Sequence, residues 1–384
     1  MKATVTMLPI FAIVKSTNKL VFFGAVISLI LSFESAVKAQ PLHEMVFTDA
    51  HDLTIIGKAE ESEMFYHRLD TSLHKDLPSV IKTLATRSAG LAVSFTTNSS
   101  TISAKWCTSK QVTDDNMTGI AYEGMDLYIK RAGRWQFAGV ARPQSHDCSE
   151  AMIVENMKAG KKECLLFLPT YDETLSLSIG VDIGASLYPE KYPFKKSVVI
   201  YGSSIVQGAS ASRPGLAYPA RLSRETGYNF INLGFSGNAK MEKSVVDMIA
   251  AMPMDAIILD CVPNPSPEEV LKRTHYLITT IRKFHPGIPI IGIQSVAREK
   301  GNFDTVVAAR VARKNEYFKQ EVRKIQKTDK DLYFISADGL LGDDQEGTTD
   351  GIHPNDLGFD RMLQKICPPI LMILKRNKSY GFSN

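Results

Sequence analysis

The chain has 384 residues, 44% of them hydrophobic and 22% charged, with 25 Gly and 18 Pro. At roughly 100 to 200 residues per domain this length predicts two or three domains, and the composition excludes disordered, collagen-like and coiled-coil material. The net charge of +4 sits mostly at the start, where residues 1–39 hold Lys2, Lys15, Lys19 and Lys38 against Glu34 alone; the rest is close to neutral, so nothing electrostatic points to nucleic acid or an anionic membrane.

Leu20 to Phe33 (LVFFGAVISLILSF) is an apolar run that follows Lys15 and Lys19 and leads to Val37-Lys38-Ala39 ahead of Gln40. Residues 1–39 therefore read as a secretory signal peptide. The run is shorter than the about 20 residues that a spanning helix needs, so no stable membrane insertion is expected after cleavage. An uncleaved anchor is the other reading, favoured if Met7 to Val14 also inserts. The five cysteines are Cys107, Cys148, Cys164, Cys261 and Cys367. An odd number leaves at least one thiol unpaired in an exported chain, and no CxxC spacing suggests zinc or redox work. A disulfide among Cys107, Cys148 and Cys164 is one reading; small buried hydrophobes are the other.

From about Phe47 to Asp182 the chain is a series of short alternating or β-branched runs. They include Leu91 to Phe95, Thr101 to Trp106, Asp126 to Lys130, Trp135 to Val140, Cys164 to Leu168 and Thr174 to Ile179. Arg131-Ala132-Gly133-Arg134 reads as a hairpin loop. No helical period of ten or more residues stands out, which predicts a β-sandwich of jelly-roll type. The stretch Tyr188 to Pro193 marks a boundary, giving a β-domain over 41–190 and a second domain over 191–384.

In the second domain, strand-like runs alternate with helical stretches. The runs are Ser197 to Tyr201, Asn229 to Leu233, Ala256 to Leu259, Ile288 to Ile293 and Leu332 to Ile335; the helical stretches are Ala217 to Thr226, Glu242 to Met252, Pro267 to Phe284 and Thr305 to Lys327. Alternation of this kind predicts an α/β fold, a parallel sheet covered on both faces. Ligands then bind beyond the carboxyl ends of the strands. The first of these strands runs into Gly202-Ser203-Ser204, and the last is followed by Asp350-Gly351-Ile352-His353. A Ser at a strand-to-helix turn is free to attack, His is its usual base, and an acid three residues before the His can fix its tautomer.

Gly202 to Ser204, then Asn232-Leu233-Gly234-Phe235-Ser236-Gly237-Asn238, then Asn264, then Asp350 to His353, resemble the four blocks of the SGNH hydrolases, also called GDSL esterases. Gly124-Met125-Asp126-Leu127-Tyr128 resembles the GxDLY signature of an N-terminal β-domain that precedes one subgroup. The resemblance implies a flavodoxin-like hydrolase domain with Ser204 as nucleophile, His353 as base and Asp350 as its orienter. It implies an oxyanion hole from the Ser204 and Gly237 backbone N–H groups and the Asn264 amide. Gly237 lies in a Gly-rich turn where a backbone N–H can approach a ligand, and Asn264 offers an uncharged donor. Two departures stand out. Ser203 replaces the acidic residue usual before the nucleophile and is a rival nucleophile, and Pro263 and Pro265 flank Asn264 in place of the usual Gly-x-Asn-Asp.

The remaining polar residues read as structural. His275 and His285 are expected on the surface or as caps. His67 and His74 are expected to lack a close carboxylate or Cys partner set, so no metal site is expected there. Arg213 is expected in a solvated loop rather than on substrate, and Asp126 and Tyr128 at a domain interface or in strand packing rather than in catalysis. The expected function is an exported serine esterase, periplasmic or secreted, removing short acyl groups, acetyl foremost, from a small-molecule or oligosaccharide ester, with a neutral acylated glycan as the substrate class and no metal or organic cofactor. A lipase or phospholipid acylhydrolase is one alternative, and a glycan-binding protein on an inactive hydrolase fold is another.

Overall fold

The alternating runs of the first half become ten strands among the described residues: β1 (Met45–Asp49), β2 (Thr54–Ile56), β3 (Ala92–Thr97), β4 (Ile102–Thr108), β5 (Met125–Arg131), β6 (Arg134–Ala141), β7 (Cys148–Val154), β8 (Lys162–Phe167), β9 (Thr174–Asp182) and β10 (Leu187–Pro189). The structure is a computed structural model that describes residues 44–109, 114–144 and 147–376. The signal-peptide reading of 1–39 lies outside the described residues. The first-half strands pair antiparallel in two sheets, ordered β1-β9-β4-β7 and β10-β3-β8-β5-β6, with β2 also on β3. Phe95, Leu127 and Leu166 of one sheet close a core with Ala104, Trp106 and Ile179 of the other. The alternate residues Ala92, Tyr128, Leu165 and Phe167 bury against Phe194 and Ala220 of the second half. β3 is buried along its whole length.

Among the described residues two α-helices interrupt the β-rich half, α1 (Ser79–Thr86) and the one-turn α2 (Gly119–Tyr122). Neither was expected, because eight and four residues are too short for a helical period to show in the sequence. Cys107 and Cys148 face each other in register on β4 and β7 and form a disulfide. Cys164 and Cys261 are buried free thiols, and Cys367 is a partly buried one.

The second half contains β11 (Ser197–Gly202), α3 (Ser204–Gln207), α4 (Tyr218–Thr226), β12 (Asn229–Gly234), α5 (Lys243–Ala251), β13 (Ala256–Asp260), α6 (Pro267–Phe284), β14 (Ile290–Ile293), α7 (Thr305–Ile325), β15 (Leu332–Ile335) and α8 (Asp356–Arg376). Its five-stranded sheet is parallel in the order β12-β11-β13-β14-β15, the flavodoxin-like 2-1-3-4-5 arrangement. Successive residues of a strand face opposite sides, so Val199 and Tyr201 pack with Val245, Ile278 and Phe318 of α5, α6 and α7. Val198 and Ile200 pack with Leu222 and Phe359 of α4 and α8 on the other side. Helix α6 starts on a capping box between Ser266 and Glu269. Helix α8 was not among the helical stretches read from the sequence, and it continues through Pro368 and Pro369. No helix among the described residues is long and apolar enough to cross a membrane.

Candidate active site

Gly202 ends β11 where a Cβ would lie 2.2 Å from Val206 Cγ2 and 2.5 Å from the Asp260 carbonyl oxygen, so only glycine lets the chain turn directly into α3. Ser203 caps that turn: its hydroxyl accepts the Ile205 N–H at 3.3 Å and the residue is fully buried. Its Oγ is committed to the cap. Ser204 is the first residue of α3, and its Oγ lies 2.9 Å from His353 Nε2. The imidazole's other nitrogen, Nδ1, lies 2.7 Å from Asp350 Oδ2. The second carboxylate oxygen, Oδ1, accepts the backbone N–H groups of Ile352 at 2.9 Å and His353 at 2.8 Å. Burial alone would push the Asp350 carboxyl up; the His353 backbone N–H and imidazole and the Ile352 N–H outweigh it and bring the pKa to about 2. Asp350 is therefore ionised wherever His353 can act as a base.

Ser204, Gly237, Asn264 and His353 line one pocket of about 300 Å³, together with Ile205, Ser236, Pro263, Ser295, Val296, Arg298 and Ile352. It opens beyond the carboxyl ends of β11 and β13, the crevice that this sheet order predicts. Gly237 has a φ of 69° in the turn after β12, a conformation that glycine adopts at no steric cost. Gly234 before it lets β12 approach α3, since a Cβ there would meet the Gln207 backbone nitrogen at 2.1 Å. Asn264 donates one amide hydrogen to the Phe235 carbonyl at 3.4 Å, which leaves its second amide hydrogen free. The Pro263 carbonyl next to it accepts both Lys314 Nζ at 2.8 Å and Arg298 Nη2 at 3.1 Å. Burial, with the nearby Arg298 and Arg310 charges, lowers Lys314 to about 8. All five residues expected at the site thus meet here, with Asp350 behind His353.

The first half reaches this site in ways the sequence did not show. Fully buried Arg68 donates to the Asn232 carbonyl at 3.0 Å, to that of Gly234 at 2.7 Å and to that of Arg87 at 2.9 Å, and also to that of Leu84. Gln207 is held between the Thr170 carbonyl at 3.1 Å and the Ser236 N–H at 3.0 Å. Asn116, in the loop between β4 and α2, donates from Nδ2 to Asp350 Oδ2 at 3.0 Å and lies 3.1 Å from His353 Nδ1. The Asp114-Asp115-Asn116 run reads only as a polar turn; no local pattern announces its reach.

Two expectations are corrected. Arg213 is not in a solvated loop: its Nε pairs with Asp126 Oδ2 at 3.1 Å and its guanidinium covers the Phe137 ring at 4.1 Å. His67 and His74 do have carboxylate partners, Glu173 at 2.7 Å and Glu60 at 3.0 Å, both distant in sequence or across a turn. Among the described residues no group of three or more His, Cys, Asp and Glu is placed to hold a metal. His285 caps α6 and reaches the Ala250 carbonyl with its ring at 2.9 Å, and His275 is exposed.

Residues 195–371 match the GDSL-like lipase/acylhydrolase family model, and residues 45–187 match the model for the N-terminus of the SGNH-hydrolase-type esterases, GxDLY. A crystal structure described as a GDSL-like lipase from Bacteroides ovatus is 52% identical, with a TM-score of 0.84 over 86% of this chain and 98% of that one. The chain belongs to the GDSL-like lipase/acylhydrolase family. This GDSL-type esterase also shares its fold with a salicylyl-acyltransferase from a tetracycline biosynthetic pathway (TM-score 0.68, 16% identity, 86% of this chain and 99% of that one). A family two carbohydrate esterase from Cellvibrio japonicus has a TM-score of 0.57 at 10% identity, over 87% of this chain and 99% of that one. No curated protein matches the GDSL-type esterase in sequence.

Proposed function

We propose that the protein is an exported serine esterase that removes short acyl groups, acetyl foremost, from carbohydrate. The observation that carries this reading is the unbroken line from Ser204 Oγ to His353 Nε2 at 2.9 Å and from His353 Nδ1 to Asp350 Oδ2 at 2.7 Å. His353 takes the Ser204 hydroxyl proton as Oγ bonds to the ester carbonyl carbon. The tetrahedral oxyanion is held by the Ser204 and Gly237 N–H groups and the Asn264 amide. The imidazolium returns the proton to the departing sugar oxygen as the ester C–O bond breaks. Water, deprotonated by His353, then cleaves the acyl-serine and releases the acid.

The 300 Å³ pocket is at the small end of ligand sites, which suits a short acyl group. The fold-level likeness to a carbohydrate esterase is compatible with a glycan on the alcohol side. Export is supported by the apolar leader and by the Cys107–Cys148 disulfide, since such bonds persist in oxidising compartments. A second reading, preference for longer acyl chains, is favoured by Phe303 and Val306, which are 92% and 74% exposed on the segment after Arg298. Rates over p-nitrophenyl esters of increasing chain length and over acetylated oligosaccharides decide between them. A fluorophosphonate should label Ser204, and Ser204→Ala should abolish labelling and turnover; labelling that survives Ser204→Ala and is lost in Ser203→Ala would overturn the assignment. Asp350→Asn should lower kcat by about 10⁴, the loss expected from the wrong imidazole tautomer.

A further inference from the structure

We propose that Asn116 is a positioning residue for the His353–Asp350 pair, so that the β-rich first half supplies part of the catalytic geometry. This rests on the reading of Ser204, His353 and Asp350 given above. The argument starts from the carboxylate. An ionised carboxylate accepts about four hydrogen bonds. Asp350 Oδ1 takes two of these from the Ile352 and His353 N–H groups, and Oδ2 takes His353 Nδ1–H. The fourth donor is the Asn116 amide at 3.0 Å. Asp350 is about one-third exposed, so without Asn116 that lone pair would face water and the carboxylate could swing about its side-chain bonds.

Proton logic fixes how Asn116 acts. A productive base has Nδ1 protonated toward Asp350 and Nε2 free to accept from Ser204. The Asn116 amide is therefore a donor to Oδ2, and its 3.1 Å approach to Nδ1 is contact that limits how the ring can turn. A donor on Oδ2 also withdraws charge from the carboxylate, which keeps the imidazolium from becoming too stable.

The loop is held independently of this side chain. The Asn116 carbonyl accepts Ser210 Oγ at 3.1 Å, Met117 Sδ accepts the Ser210 N–H at 3.1 Å, and Thr118 Oγ1 donates to the Ser212 carbonyl at 2.7 Å. Ser210 itself has a φ of 65°, a left-handed conformation costly for serine, at the end of the turn that follows α3. The loop is thus fastened to the segment that carries the nucleophile while its side chain reaches the acid and base. Other charges around the pair are Asp114 and Asp115 beside Asn116, Arg298, which feels the Asp350 charge, Lys300 against Gly351, and Asp356, which accepts the Ser212 N–H at 2.9 Å.

The test compares Asn116→Ala and Asn116→Asp with wild type and Ser204→Ala on p-nitrophenyl acetate across pH, with melting temperature as the folding control. Asn116→Ala should lower kcat about tenfold, the size of one modest hydrogen-bond loss, with KM little changed. Its acid limb of kcat/KM should move to higher pH, because a carboxylate with one donor fewer favours the imidazolium. Asn116→Asp should move that limb further, by about one pH unit or more, since it sets a second carboxylate within reach of Nδ1. An Asn116→Ala protein with wild-type kcat and an unmoved acid limb, while Ser204→Ala is inactive, overturns the inference and leaves the site reading intact. Activity in Ser204→Ala overturns the site reading itself.

Discussion

Asp126 Oδ1 accepts the backbone N–H of Gly215 at 2.8 Å, joining β5 of the sandwich to the loop ahead of α4. A Cβ on Gly215 would lie 2.4 Å from Tyr128 Cε2 and 2.8 Å from Asp126 Oδ2, so the motif Gly124 to Tyr128 and the Gly215 backbone fit only as they are. Arg213 Nε stands 3.1 Å from the other Asp126 oxygen, and the Arg224 guanidinium lies over the Tyr128 ring at 3.7 Å. Burial pushes the Asp126 carboxyl up, opposed by Arg224, the Gly215 N–H, Tyr128 and Arg213. Removing one member of such a set leaves buried charge uncompensated. Asp126→Ala should therefore cost about 3 to 5 kcal/mol, read as the shift in a urea unfolding midpoint. A midpoint within error of wild type would show that these contacts do not hold the halves together.

Asn264 should act on the transition state. Its amide is oriented by the Phe235 carbonyl, and Lys314 and Arg298 pin the preceding Pro263 carbonyl, so the flanking prolines replace the usual loop sequence without freeing the donor. Loss of one oxyanion donor typically lowers kcat by about 10² to 10³, and Asn264→Ala should fall in that range with KM little changed. An effect confined to KM would mean that the side chain binds the substrate's ground state instead.

The residues that were legible in the sequence are those whose partners are local or whose backbone demands a residue type. Gly202 had no room for a side chain, and Asp350 and His353 sit three apart on one turn. The strands that feed the pocket were legible because both faces of β11 and β13 are apolar. What was not legible spans long separations: Asn116 meets Asp350 across 234 positions, Gly215 meets Asp126 across 89, and His67 meets Glu173 across 106. No period or motif encodes such pairs, and a polar loop residue looks the same whether its side chain meets water or a carboxylate more than two hundred positions away. Helix α8, absent from the stretches read in the sequence, runs through Pro368 and Pro369, held by burial of Phe359, Ile366 and Ile370.

Asp260, at the end of β13, is buried with Tyr218 Oη donating to it at 2.8 Å. Burial raises its pKa from the usual 3.8 to about 7, with the tyrosine hydrogen bond pulling the other way. The folded protein therefore keeps this proton where the unfolded chain has lost it. Stability from the group is fully present below about pH 4 and is lost as pH rises toward 7. Asp260→Asn removes that slope, so the variant should gain on wild type by up to about 1.4 kcal/mol per pH unit across the window. Melting temperatures measured from pH 4 to 8 check this, and parallel curves for the two proteins would show that Asp260 is ionised throughout.

The Cys107–Cys148 bond closes a loop with a sequence separation of 41, and a loop of that size restricts the unfolded chain by roughly 4 kcal/mol in the chain-entropy picture. Because the two residues are already neighbours in the β4–β7 register, the bond constrains strands that pair without it, and its effect should fall on stability rather than on the folded shape. The double variant Cys107→Ala/Cys148→Ala should lose about 2 to 4 kcal/mol, seen as a lower denaturation midpoint, while its turnover well below the melting temperature stays near wild type. The loop that carries Asn116 leaves the same end of β4, yet it is held at Ser210 and Ser212 by its own hydrogen bonds, which is why turnover should survive. A variant that keeps its midpoint but loses activity would reverse this order, making the crosslink a support for the Asn116 loop and not a staple of the sandwich.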